Sequence, residues 1–137
     1  MTAFVLDAST ALGWILDRPV PAAASHARDL IVAGAVPVVP SLWAQEVSNG
    51  IVMAERRGRL TTVQVAAIAI DIEELLQIAE VEAFVARPVT LIDLAQRTGL
   101  TVYDVTYLEL ASRRRLALAT LDDKLREAAK RATLSLI

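Results

Sequence analysis

Four short apolar runs alternating with stretches of helical spacing constrain the architecture of this chain more than any other feature. Ala3-Phe4-Val5-Leu6 ends on Asp7, Val36-Pro37-Val38-Val39-Pro40 is bounded by prolines, and Leu116–Ala119 and Thr133–Ile137 close the chain. Continuous runs this short read as strands covered on both faces, which is the habit of parallel sheets. The intervening segments have helix signals. Ser9 to Leu16 is closed by Pro19 and Pro21, and Ala22 to Ala33 is followed by Gly34, a C-terminal stop. Ser41 is placed to cap a helix that runs to Arg57 and stops at Gly58. Thr61 and Gln64 form a capping box opening a helix to about Ile78, and Thr90 to Arg97 is helical with Gly99 ending it. Thr101 with Asp104, and Thr120 with Asp123, predict two further capping boxes, opening helices to about Arg115 and Arg131. Val81 to Val85 fits a short strand or a loop equally well. The alternation predicts an α/β fold: one domain over residues 1–137, with a parallel central sheet of four or five strands flanked by helices.

Composition narrows the chemistry. With 55% apolar residues the chain can build a core and is not disordered. It has no cysteine, which removes thiolate chemistry and Cys-ligated zinc, and a single histidine, His26, which argues against His-clustered zinc and a Ser-His-Asp triad. The net charge of −2 argues neither for nor against nucleic acid. No apolar run reaches the roughly 18 residues that span a bilayer, and no basic segment precedes the first apolar run. The expectation is a cytoplasmic protein with no membrane contact, whose chemistry falls to its carboxylates.

Of sixteen acids, four stand apart: Asp7, Glu46, Asp104 and Asp122. Asp7 follows the first strand, where an open parallel sheet binds ligands, although a helix N-cap is an equally good reading. Glu46 lies in the second turn of the helix after the second strand, at the margin of its apolar face or as an ordinary half-exposed acid. Asp104 is explained by capping alone. Asp122 follows the Leu116–Ala119 run; the box does not need it, and an acid in a first turn also suits the helix dipole. Together, these positions converge on one edge of a parallel sheet. Four converging carboxylates repel unless a cation joins them, and the hard, oxygen-liking choice is Mg²⁺ or Mn²⁺. Two such ions about 4 Å apart can activate a water and stabilise the leaving oxygen of a phosphodiester.

The segments Val5-Leu6-Asp7-Ala8-Ser9, Pro40-Ser41-Leu42-Trp43-Ala44-Gln45-Glu46-Val47-Ser48-Asn49, Thr101-Val102-Tyr103-Asp104-Val105-Thr106-Tyr107-Leu108-Glu109-Leu110-Ala111 and Ala119-Thr120-Leu121-Asp122 resemble the motif blocks of PIN-domain ribonucleases. The nearest likeness is to VapC-type toxins of bacterial toxin–antitoxin pairs, in block order and spacing over essentially the whole chain. The resemblance implies an endoribonuclease dependent on Mg²⁺ or Mn²⁺, with Asp7, Glu46, Asp104 and Asp122 as catalytic and metal-holding acids. It implies that Ser9 orients Asp7 or a metal-bound water and that Thr120 supports the last acid. It also implies an RNA substrate, a small antitoxin in the active-site groove, and a homodimer. Val105 stands where relatives often have alanine.

Other classes fit less well. A phosphoacceptor domain wants an acid pair at the first strand and a lysine near the last; here Asp7 is alone and Lys124 lies inside a helix. A phosphatase of the Asp-x-Asp type lacks its second acid at Ser9. A catalytically silent PIN-like module that binds nucleic acid or protein remains the alternative. Arg56, Arg57 and Arg59, and Arg113, Arg114 and Arg115, are candidates for RNA phosphates, against the plainer reading as helix-end cations. Trp14, Trp43, Phe4 and Phe84 are expected in the core, Tyr103 and Tyr107 to pack on one helix face, and His26 at the surface.

Overall fold

A computed structural model describes residues 2–137. Its elements run β1 (Ala3–Leu6), α1 (Ala8–Leu16), α2 (Ala22–Val32), β2 (Val36–Pro40), α3 (Leu42–Arg56), α4 (Thr62–Ile78), β3 (Glu80–Glu82), α5 (Pro88–Thr98), α6 (Val102–Arg114), β4 (Leu118–Ala119) and α7 (Asp123–Arg131). The four strands form one sheet in the order β3-β2-β1-β4, and every pairing is parallel. The expected α/β architecture is therefore present, with a four-stranded sheet flanked by helices.

The core explains the short apolar runs. Phe4, Val5, Leu6, Val38, Val39, Leu118 and Ala119 are all buried, because helices cover both faces of the strands that carry them. Helix α6 turns Val105, Leu108, Leu110 and Ala111 inward, and Val105 fits without exposure. Register then aligns the carboxyl ends. Val5 pairs with Val38 and Leu6 with Ala119, so Asp7, Ser41 and Thr120 leave the sheet along one edge.

Local expectations are met unevenly. The Thr61–Gln64 box is complete in both directions, at 3.2 and 2.9 Å. Ser41 does not cap α3: it is already helical at φ −59°, ψ −29°, and its hydroxyl makes no cap bond. Helix α5 begins at Pro88, earlier than Thr90, with proline in its first turn where no amide partner is needed. The ambiguous segment resolves as the three-residue edge strand β3. The strand expected over 116–119 shrinks to two residues. Arg115 takes a left-handed conformation (φ 53°), and the Leu116 amide turns back to the Ala111 carbonyl at 3.0 Å. The expected last strand is reduced to a single bridge, Leu118 to Leu136, after a positive φ of 59° at Thr133. No helix among the described residues is long and apolar enough to cross a membrane.

Candidate active site

Asp7 is the centre of the sheet edge. It is only 5% exposed, at the junction of β1 and α1, and occupies the N-cap position of α1 without making a side-chain cap bond. Its carboxylate is held by two hydroxyls instead. Ser9 Oγ donates to Asp7 Oδ2 at 2.6 Å, and Thr120 Oγ1 donates to the same oxygen at 2.7 Å. Each hydroxyl is itself oriented by a backbone amide beyond β4: Leu121 N–H donates to Ser9 Oγ at 3.0 Å and Asp122 N–H to Thr120 Oγ1 at 3.1 Å. With its lone pair taken by an amide, each hydroxyl has its proton free for the acid. The β1–α1 and β4–α7 turns are thus fastened together through one carboxylate oxygen.

Thr120 therefore gives its proton to the first acid while accepting the amide of the last, and it does not open α7. Asp122 is the N-cap of α7, its Oδ1 accepting the Leu125 amide at 2.8 Å. The box expected from Thr120 and Asp123 does not form, because the β1–β4 register commits the Thr120 hydroxyl to Asp7, and Asp122 takes the cap instead.

Glu46 and Asp104 approach from either side. Glu46 is half-buried on α3, and its Oε1 accepts the hydroxyl of Tyr107 at 2.5 Å. Tyr107 is fully buried. Burial and the bond to Glu46 push its pKa upward, which keeps the hydroxyl protonated as a donor. Asp104 is partly exposed in the first turn of α6. Its amide donates to Thr101 Oγ1 at 3.1 Å, but its carboxylate does not return the bond, so the capping box is half made. Capping therefore does not account for the Asp104 side chain.

The electrostatics tie three of the four acids together. Burial raises the pKa of Asp7; the Ser9 and Thr120 hydroxyls oppose that rise, and the charge of Asp104 adds to it. Burial also raises the pKa of Glu46, against the Tyr107 hydroxyl, with the charges of Asp7 and Asp104 adding to the rise. Asp122, exposed on the far side of Thr120, is not among the charges acting on either. Tyr107→Phe should raise the pKa of Glu46 further, since it removes the one bond favouring the ionised form. Carboxyl-carbon NMR titration reads this directly, and an unmoved Glu46 titration would deny Tyr107 any hold on that acid.

An all-carboxylate set suits a hard divalent cation in donor chemistry. In placement it stops short: among the described residues, no group of three or more Asp, Glu, His or Cys side chains is arranged to hold a metal ion. Glu46 is turned to Tyr107 and Asp122 to the start of α7, which leaves the set open.

The other sequence candidates divide. Arg113 and Arg114 are engaged in ion pairs, Arg113 with Glu109 and Glu82 and Arg114 with Glu80 and Glu82, so neither is a free phosphate ligand. Arg59 lies 3.4 Å from Asp17. Phe4 and Trp43 are core residues and Trp14 is partly buried, but Phe84 is exposed, as is Tyr103, which does not share the packing of Tyr107. His26 is at the surface. Sequence reading took Tyr107 only for packing. Its acid partner is 61 residues distant, and no local pattern signals it.

Among solved structures, the crystal structure of PAE2754 from Pyrobaculum aerophilum superposes with a TM-score of 0.69, covering 93% of this chain and 84% of that one at 21% identity. At that identity the likeness establishes the fold. No curated protein matches the chain. Residues 4–131 match the PIN domain, a span that takes in β1, the whole acid edge and α7. A parallel sheet with acids gathered at its carboxyl edge and a family match over nearly the full length lead to one conclusion: this chain belongs to the PIN-domain family.

Proposed function

We propose that this chain is an endoribonuclease dependent on Mg²⁺ or Mn²⁺, acting as the toxin of a toxin–antitoxin pair. The observation that carries the reading is the Asp7 carboxylate, buried and locked by two hydroxyls, with the charge of Asp104 raising the cost of ionising both Asp7 and Glu46. A buried carboxylate with a second acid's charge beside it is expensive for a fold to keep without a cation to offset it. Asp7, Glu46 and Asp104 would hold the ion, with Asp122 contributing if it leaves its cap. Bound there, the ion would polarise a phosphoryl oxygen and lower the pKa of a water. Ser9 and Thr120 fix the direction of Asp7, and Tyr107 fixes the direction of Glu46. An antitoxin and a second copy of the chain are the partners this reading implies.

One observation favours a second reading, a catalytically silent PIN-like module that binds nucleic acid or protein. The carboxylates do not close on a common point, and two of them are committed to other bonds. Incubating purified protein with total cellular RNA in Mg²⁺, in Mn²⁺ and in EDTA separates the two. Discrete fragments that require metal and disappear in Asp104→Asn are expected. A folded protein that shifts RNA in a gel and never cuts it would establish the silent module.

A further inference from the structure

Of the six aromatic side chains, only Phe84 and Tyr103 are exposed, at 54% and 65%, and both line the same cleft. The cleft has a volume of about 210 Å³ and lies between the end of β2, the segment after β3, and the start of α6. Arg113 stacks on Phe84, its guanidinium carbon 4.4 Å from the ring centroid, and is anchored by Glu109 at 2.7 Å. Glu82, also in the cleft wall, accepts the Phe84 amide at 3.0 Å. The exposed ring is therefore fixed by its backbone and by a stacked cation; it is not a loose loop side chain.

Two helices that wall the cleft, α3 and α6, also carry residues of the acid edge. On α3, Leu42 lines the cleft and Glu46 lies four residues on, one turn along the same face. On α6, Tyr103 lines the cleft, and Tyr107, four residues on, bonds Glu46. Asp104 directly follows Tyr103. Tyr103 thus sits within one helical turn of acid-edge residues, and Phe84 lines the same cleft.

We infer that Phe84 and Tyr103, backed by Arg113, form a stacking subsite for one unpaired nucleobase of a single-stranded RNA flanking the scissile phosphodiester. The inference rests on the reading of this chain as a PIN domain acting on RNA. The charge pattern selects a base over a phosphate. Glu82 and Glu109 line the cleft and repel an anion, and the Arg113 charge is already spent on them. A flat ring needs only faces to stack on, and aromatic rings interleaved with arginine are the usual platform for unpaired bases. The subsite would demand an unstacked nucleotide, so it would favour loops and single strands over duplex RNA.

The test is a single-stranded oligoribonucleotide carrying 2-aminopurine at one position, mixed with the full chain in Mg²⁺ and read before cleavage proceeds. Stacking quenches the fluorophore. Wild type should quench it, and Phe84→Ala and Tyr103→Ala should each bind about 5- to 100-fold more weakly. Val63→Ala, at a still more exposed apolar position but on α4, should bind as wild type. Replacing the fluorescent nucleotide by an abasic one should bring wild type and both variants to the same affinity, and Tyr103→Phe should retain binding. Equal affinity for intact and abasic RNA, or no binding at all, would overturn the inference. So would a change in oligomeric mass of both alanine variants by light scattering, because the rings would then belong to a contact between copies. Metal-dependent cleavage with no stacking would remove the subsite and leave the nuclease standing; stacking without cleavage would support the subsite and remove the nuclease.

Discussion

Asp7→Asn is expected to lower metal-dependent RNA cleavage by more than about 100-fold, since even loss of an outer-shell partner costs 10- to 100-fold in metal affinity or activity. The same variant should be more heat-stable than wild type near neutral pH. Asp7 has a folded-state pKa above its ordinary 3.8, chiefly because it is buried. Over the window from that value up to the raised one, the native state holds a proton that the unfolded chain has lost. Stability therefore falls as pH rises through the window, and above it the full penalty of an ionised, buried acid is present. Asparagine keeps an oxygen for the Ser9 and Thr120 hydroxyls and removes the charge. Thermal melts should show the advantage of Asp7→Asn near neutral pH, and its disappearance at or below pH 3.8. Mg²⁺ should raise the melting temperature of wild type, because a ligand that binds only the native state stabilises it, and should do so far less for the variant. A variant that is less stable than wild type near neutral pH would mean that the buried charge is compensated within the protein, and the case for a cation would lose its physical basis.

What the sequence discloses and what it withholds divide along the range of the interaction. Continuous apolar runs announce strands covered on both faces, and Phe4, Val38 and Leu118 are buried as that pattern requires. The Thr61–Gln64 box is local, four residues that need nothing else, and it forms completely. Thr120-Leu121-Asp122-Asp123 is equally local, but the box expected from Thr120 and Asp123 gives way to a cap by Asp122, because the pairing of Leu6 with Ala119, over a hundred residues apart, commits the Thr120 hydroxyl elsewhere. The same pairing sets Thr120 against Asp7, so the hydroxyl role expected for the last acid passes to the first. Arg113 and Arg114 read as a basic run, but the edge strand β3 brings Glu80 and Glu82 alongside and spends the charge. Phe84 reads as core by hydropathy alone. Its exposure follows from its place just past an edge strand of only three residues, which leaves its ring at the rim of the sheet, not beneath it.

Thr120→Val separates the fold's use of the Asp7 clasp from its use by the site. Valine matches threonine in shape, so packing against the buried turn is preserved while the hydroxyl is lost. The donation to Asp7 Oδ2 and the acceptance from the Asp122 amide go with it, as does the longer 3.3 Å contact with Ser9 Oγ. A hydrogen bond to a charged group is worth about 1.5–3 kcal/mol, and a loss near the upper end of that range is expected near neutral pH. Asp7, left with Ser9 alone, should titrate higher still, because one of the bonds favouring its ionised form is gone. Cleavage should fall about 10- to 100-fold, the usual consequence of loosening a residue that orients a metal-holding group. The decisive comparison is a double-mutant cycle. In an Asp7→Asn background the threonine faces a neutral amide, so Thr120→Val should cost less stability there than in wild type, and the difference is the coupling between hydroxyl and charge. Equal costs in the two backgrounds would show that Thr120 serves only the turn before α7. Activity in Thr120→Val at the wild-type level would show that the direction of the Asp7 carboxylate, fixed so tightly in the fold, has no bearing on what the acid edge does.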